Sequence, residues 1–191
     1  KAIPHEAGMG GASADAAAVI CALNELTNSN LTQKQLLEIG LKVGADVPFC
    51  QVGGTMLCEG IGEVMTPIKN MPDCFLVIAK PESGISTKEA YSAFDNSVTS
   101  FELFTDKLLD NIDTLQGISE NIGNIFEELA NNPEIDIIKM QMKSAGALGA
   151  CMTGSGSAVF GIFTDETKAK LCEKELLEDY PFVCICKPNF T

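Results

Sequence analysis

Apolar positions along the chain change period several times, and each change marks an element. From Ala14 to Leu26 they fall at 16, 19, 20, 23 and 26, the three-and-four spacing of one helix face. Asn28-Ser29-Asn30 ends that helix. Thr32 with Gln35 forms a capping box, and Leu36, Ile39 and Val43 continue on one face until Gly44, which predicts a second helix. Pro48 disfavours a helical Val47, so Ala45 to Phe49 reads as an extended junction that carries Asp46. Gly53-Gly54 then leads to a strand about Thr55 to Glu59, Gly60-Ile61-Gly62-Glu63 turns, and Val64 to Ile68 returns as the second arm of a hairpin.

Cys74 to Ala79 is an unbroken apolar run between Pro72-Asp73 and Lys80-Pro81, the pattern of a buried strand. A domain boundary is expected just before it, giving residues 1–70 and 71–191. Ser86 with Glu89 predicts a second capping box, for a short helix through Phe94. Helical segments follow at about 101 to 112, 118 to 130 and 134 to 144, the last with Ile135, Ile138, Met142 and Ala145 on one face. Beyond Gly146 come strand Leu148 to Met152, loop Thr153-Gly154-Ser155-Gly156, strand Ala158 to Phe163, helix Glu166 to Leu177 and strand Phe182 to Cys186. Counted from Cys74, this is the split β-α-β order of a ferredoxin-like domain within an α+β chain.

Composition narrows the function classes. With 191 residues, 46% of them hydrophobic, the chain can bury the core of one domain or two small ones. It has no apolar run long enough to span a membrane and its first residues lack the apolar core of a signal peptide, so a soluble, cytoplasmic protein without a membrane partner is expected. The net charge of −13, with 26 acids against 13 lysines and no arginine, argues against nucleic acid as a partner. Eight cysteines without a C-x-x-C pair read as small core residues of a reducing compartment. His5 is the only histidine, so no histidine-based metal cluster or catalytic triad is available, and Glu59 and Glu63 read as hairpin residues.

Candidate chemistry is concentrated between Ile3 and Ala18. Gly8, Gly10 and Gly11 free the backbone to approach a ligand, and an alanine-rich helix starts at once. Its first N–H groups have no intrahelical partners and lie at the positive end of the helix dipole, which makes an anion site. The stretch lacks the lysine of a Walker loop and does not fit the dinucleotide fingerprint. Asp46 and the second glycine loop, Thr153 to Gly156, are further features that one site could use.

Pro4 to Ala18, with Ala-Gly-Met-Gly-Gly-Ala-Ser-Ala-Asp-Ala-Ala-Ala, resembles the phosphate loop of the GHMP kinases. Gly44-Ala45-Asp46-Val47-Pro48-Phe49, Gly53-Gly54-Thr55 and Glu59-Gly60-Ile61-Gly62-Glu63 extend the likeness, and Thr153-Gly154-Ser155-Gly156-Ser157-Ala158-Val159-Phe160-Gly161 is similar to the family's third motif. The resemblance implies a two-domain GHMP kinase fold, with part of a ribosomal-S5-like, ATP-binding first domain in 1–70 and a ferredoxin-like second domain in 71–191. It implies phosphoryl transfer from ATP with Mg²⁺ to a hydroxyl of a cytidine-diphosphate methylerythritol, in the non-mevalonate route to isoprenoid precursors. Homoserine, mevalonate or a sugar are alternative acceptors, and a nucleotide-binding module without catalysis is the alternative of another class.

By the same resemblance Gly8, Met9, Gly10, Gly11, Ala12 and Ser13 hold the ATP phosphates, and Lys1 contacts the nucleotide. Asp46 is the catalytic residue, as base or orienter of the attacking hydroxyl, while Thr87 and Tyr91 hold the cytidine moiety. Relative to the family, Met9 and Ala12 replace a commoner leucine and a glycine or serine, and the segment that carries an early lysine before the phosphate loop is not in this sequence. Two expectations follow for the chain alone: little or no kinase activity, and self-association through an apolar patch on the first domain.

Overall fold

The alanine-rich run after the first glycine loop forms helix α1 (Gly11–Leu26), and the capping box at Thr32 and Gln35 opens α2 (Gln33–Val43) with both of its reciprocal bonds made. These helices belong to the smaller of two compact units in the computed structural model, which describes residues 2–97 and 104–190. That unit comprises residues 10–70 with Asn189 and Phe190, and residues 2–9 cluster instead with Met71–Pro188.

In the smaller unit Val47 is helical, not extended, as the first residue of a short helix, α3 (Val47–Val52). Pro48 lies in the first turn, where its missing N–H forfeits no helical bond, so its bias on Val47 is overridden. Gly40 is buried where α2 meets α3, and a Cβ there would stand 2.5 Å from the Gln51 side chain. Gln51 in turn donates to the Leu36 carbonyl at 3.1 Å. The expected hairpin is present as β1 (Met56–Glu59) and β2 (Val64–Pro67), paired antiparallel from Met56 opposite Pro67 to Glu59 opposite Val64. Among the hydrophobic residues of α1 and α2, Val19, Leu23, Leu26, Ile39 and Val43 remain exposed.

The larger unit is organised by a four-stranded antiparallel sheet of β3 (Phe75–Lys80), β4 (Gly149–Met152), β5 (Val159–Phe163) and β6 (Phe182–Cys186), in the spatial order β4-β5-β3-β6. This is the ferredoxin-like order read from the sequence. Alternation along β3 sends Val77 and Ala79 to one face, where they pack with Ile138, Met142, Phe163, Ala169, Cys172 and Leu176. Cys74 and Leu76 face the other side, with Ile118 and Ile162.

Between β3 and β4 run α4 (Thr87–Asp95), α5 (Thr105–Asp110), α6 (Leu115–Asn121), α7 (Ile125–Ala130) and α8 (Pro133–Ser144), and α9 (Glu166–Leu176) joins β5 to β6. The helix expected at 118 to 130 is therefore two. Ile122 is extended, and Asn124 caps a new start by accepting from the Phe126 N–H at 2.9 Å. Part of the segment expected at 101 to 112 lies outside the described residues. Ser86 does occupy the N-cap of α4, but its side chain makes no cap hydrogen bond, so the second capping box is not formed. On the outer strand β6 the Ile185 N–H is taken by Glu173 of α9 at 3.0 Å.

Candidate active site

In the larger unit the segment entering the first glycine loop is locked onto the second one. Ser157 and Ala158 donate their N–H groups to the carbonyls of Glu6 and Ala7 at 3.0 and 3.2 Å, and the Thr153 hydroxyl donates to the Gly8 carbonyl at 3.0 Å. Gly8 sits at φ +66°, and a Cβ on it would meet the Thr153 carbonyl oxygen at 1.9 Å. Only glycine satisfies both the conformation and the approach. Gly154 (φ +53°) and Gly156 (φ +87°) give the second loop its shape, with the Gly156 N–H returning to the Thr153 carbonyl at 3.0 Å.

Two more predicted residues gather at this loop. The Thr87 and Ser155 hydroxyls lie 3.0 Å apart, joining the first residue of α4 to the buried middle of the loop. One turn on, Tyr91 is 54% exposed, its ring set edge-on to Phe126 of α7 with centroids 4.9 Å apart. A cleft of about 260 Å³ runs between α4 and α7, lined by Gly84, Ile85, Glu89, Ala93 and Phe126 among others.

Side chains that sequence reasoning passed over hold the surroundings. Ser157, fully buried, donates to the Ser83 carbonyl at 2.6 Å, and the buried Lys80 ammonium donates to the carbonyls of Pro81 and Ser83 at 2.9 and 3.2 Å. Asn124 donates to the carbonyls of Met152 and Gly154, both at 2.8 Å. Glu127 accepts from the Met152 N–H at 2.5 Å and pairs with Lys139. Gly123-Asn124 ahead of an apolar run was the available signal, a breaker followed by an N-cap residue.

In the smaller unit Gly10 caps α1 in the left-handed conformation, at φ 60° and ψ 19°, without a side-chain cap bond. The Ala14 N–H bonds back to the Gly10 carbonyl at 2.9 Å. The N–H groups of Gly11, Ala12 and Ser13, which precede that first bond, have no intrahelical acceptor. A Cβ on Gly10 would meet nothing within 4 Å, so the space beside Gly10 is open. Those donors suit an oxyanion such as a phosphate.

Asp46 is exposed at the N-cap position of α3, and its carboxylate makes no cap bond. It is thus free of the structural duty an N-cap aspartate usually has. The thiols of Cys50 and Cys58 are raised above their ordinary value, first by burial and then by the Asp46 charge. Lys1 lies outside the described residues. Among the described residues no group of three or more His, Cys, Asp or Glu could hold a metal ion, and no helix is long and apolar enough to cross a membrane.

Glycine loops with this geometry on this sheet order define a class. Residues 1–54 match the GHMP kinases N terminal domain and residues 107–181 match the GHMP kinases C terminal model. The chain belongs to the GHMP kinase family and is a small-molecule kinase. It is 46% identical to the 4-diphosphocytidyl-2-C-methyl-D-erythritol kinase of Clostridium botulinum (strain Alaska E43 / Type E3), over 98% of this chain and 68% of that protein. A crystal structure of 4-(cytidine 5'-diphospho)-2C-methyl-D-erythritol kinase superposes with a TM-score of 0.80 at 28% identity, covering 98% of this chain and 68% of the other. The homoserine kinase of Cytophaga hutchinsonii shares the fold, with a TM-score of 0.79 at 20% identity, over 100% of this chain and 68% of that one. The chain thus spans about two thirds of the length of these relatives.

Proposed function

We propose that this kinase transfers the γ-phosphoryl group of ATP to a hydroxyl of 4-diphosphocytidyl-2-C-methyl-D-erythritol, in the synthesis of isoprenoid precursors. The observation that carries the reading is the uncapped start of α1, where Gly10 opens a helix whose first N–H groups have no side-chain cap and no intrahelical acceptor. Phosphoryl transfer depends mainly on positioning and on neutralising charge. The backbone from Gly8 to Ser13 supplies donors for the ATP phosphates, and the Ser13 hydroxyl adds one more. Lys1 is assigned a nucleotide contact.

Magnesium fits as a partner of the nucleotide. It favours phosphate oxygens and water with at most one or two carboxylates, and does not need a dedicated protein cage. When bound it would neutralise charge developing on the phosphates. Asp46, a carboxylate not spent on capping its own helix, orients the acceptor hydroxyl and receives its proton. Thr87 and Tyr91 hold the cytidine moiety, with the half-exposed Tyr91 ring offering a face to the base. Thr153 to Gly156 shape the larger unit's part of the site, beside Thr87. We assign residues 1–70 to the ATP-binding domain and residues 71–191 to the C-terminal domain of the family. The exposed Val19, Leu23, Leu26 and Val43 form the patch through which copies would self-associate.

The deciding experiment measures ADP release with ATP, Mg²⁺ and each of three acceptors, 4-diphosphocytidyl-2-C-methyl-D-erythritol, homoserine and mevalonate, in a protein in which this chain follows the family's lysine-bearing segment. Turnover confined to the first supports the assignment. Turnover with either of the others would replace it. Nucleotide binding by calorimetry without phosphorylation of any acceptor would mark a binding module instead.

A further inference from the structure

We infer that Asn124 is a positioning residue that fixes which way the peptide between Gly154 and Ser155 points, and so holds the shape of the second glycine loop beside Thr87 and Tyr91. The inference rests on the reading of that loop as part of the site that Thr87 and Tyr91 serve.

The argument starts from the edge of the sheet. β4 has a strand neighbour on one side only, β5. Met152, its last residue, has both backbone groups satisfied by side chains: Glu127 accepts from its N–H, and Asn124 donates to its carbonyl. The second hydrogen of the same Asn124 amide goes to the Gly154 carbonyl, and the amide oxygen accepts from the Phe126 N–H. With two donations and one acceptance, the orientation of the amide is fixed. A peptide is planar and trans, so its C=O and N–H point in opposite directions. Tying the Gly154 carbonyl to Asn124 therefore turns the Ser155 N–H away from α7.

Gly154 gives this clamp its importance. At φ +53° it is a glycine in a region that side chains rarely adopt, and glycine crosses between backbone wells at little cost. A flip of the Gly154–Ser155 peptide would exchange the places of its carbonyl and N–H and release the bond to Asn124. The same loop is tied to α4 through Thr87 and Ser155, and α4 meets α7 through Tyr91 and Phe126. Asn124 thus closes a ring of contacts joining the loop to the two residues assigned to the cytidine moiety.

Asn124→Asp is the informative variant. Its carboxylate still accepts from the Phe126 N–H, so the start of α7 keeps its cap, but the atom facing the two carbonyls becomes an acceptor. Asn124→Ser keeps a cap and removes the donors without adding repulsion. Hydrogen exchange of the loop amides 153–157 is measured without ligand, then with ATP and with cytidine 5'-diphosphate, alongside the dissociation constants of both nucleotides and the thermal midpoint. In both variants the ligand-free loop should exchange about tenfold faster or more, and the dissociation constant of the nucleotide that protects the loop should rise about tenfold while the midpoint falls by no more than the loss of two hydrogen bonds accounts for. Unchanged ligand-free exchange in both variants would overturn the role of Asn124. Loop amides that neither nucleotide protects in the parent protein would overturn the reading of the loop as a ligand site, even where the variants exchange faster. If Asn124→Asp does not fold, Asn124→Ser decides.

Discussion

Replacing Gly8 and Gly10 separately by alanine tests how the two ends of one glycine loop are held. Both have similar left-handed backbone, at φ +66° and +60°, and an alanine in that region costs roughly 1–2 kcal/mol. That cost is all Gly10→Ala should show, since a Cβ there meets nothing within 4 Å. At Gly8 the Cβ would lie 1.9 Å from the Thr153 carbonyl oxygen and 2.9 Å from the Gly156 nitrogen, both backbone atoms of a tied loop. The two segments would have to separate by about 1 Å in a close-packed region. That separation strains the bond from Thr153 to Gly8 and the two from Ser157 and Ala158 to Glu6 and Ala7, each worth about 0.5–1.5 kcal/mol. Gly8→Ala should therefore be about 2–4 kcal/mol less stable than Gly10→Ala. Urea unfolding of the two variants, followed by circular dichroism, gives the difference through the shift in midpoint at constant slope. Equal midpoints would refute the reasoning, because they would mean that the contact between Gly8 and the second loop carries no weight in solution.

In an enzyme that also carries the family's lysine-bearing segment, Asp46→Asn should lower kcat by about 10²–10⁴ with an unchanged thermal midpoint, since the side chain caps nothing; a full rate in the variant would remove Asp46 from the chemistry. Tyr91→Ala should weaken cytidine 5'-diphosphate binding by about 1–3 kcal/mol and leave ATP affinity alone, whereas equal losses for both would point to unfolding of α4. Burial pushes the Cys74 and Cys172 thiols up to about 11, and burial with the Glu127 charge pushes Cys151 up to about 12. The unfolded chain releases those protons from about pH 9, so it binds fewer of them than the native state there and stability falls as pH rises above that value. The urea midpoint should hold below about pH 8 and drop by pH 10, and the drop should be smaller in Cys151→Ala; identical pH profiles for the two would contradict it.

Elements set by local periodicity were legible in the sequence: α1, α2, the hairpin and the strand order of the ferredoxin-like sheet. Helix starts were less legible where a local rule competed with its context. Pro48 in a first helical turn does not oppose the helix, and Ser86 reaches the N-cap of α4 without using its hydroxyl there. Asn124 was hidden for a similar reason, because the apolar pattern runs on through Ile122, Ile125 and Phe126 across the break it caps. The glycine loops themselves stood out, but the contact of Gly8 with Thr153 joins residues 145 apart, and no local pattern encodes such a meeting. Family likeness singled out Thr87, yet its pairing with Ser155 is a product of the tertiary fold.

The two glutamates at the sheet's borders have a consequence beyond the site. A strand on the border of a sheet offers its free N–H groups as a template for any extended segment that approaches. Here Glu127 occupies the Met152 N–H on β4 and Glu173 occupies the Ile185 N–H on β6. On β4 that carboxylate is paired with Lys139 and every residue of the strand is buried, whereas on β6 Glu173 leaves a passing strand a blocked donor and an acidic guard. Loss of the Glu173 carboxylate would expose a ready template for intermolecular β-pairing, and the resulting failure would be seen as aggregation at high concentration.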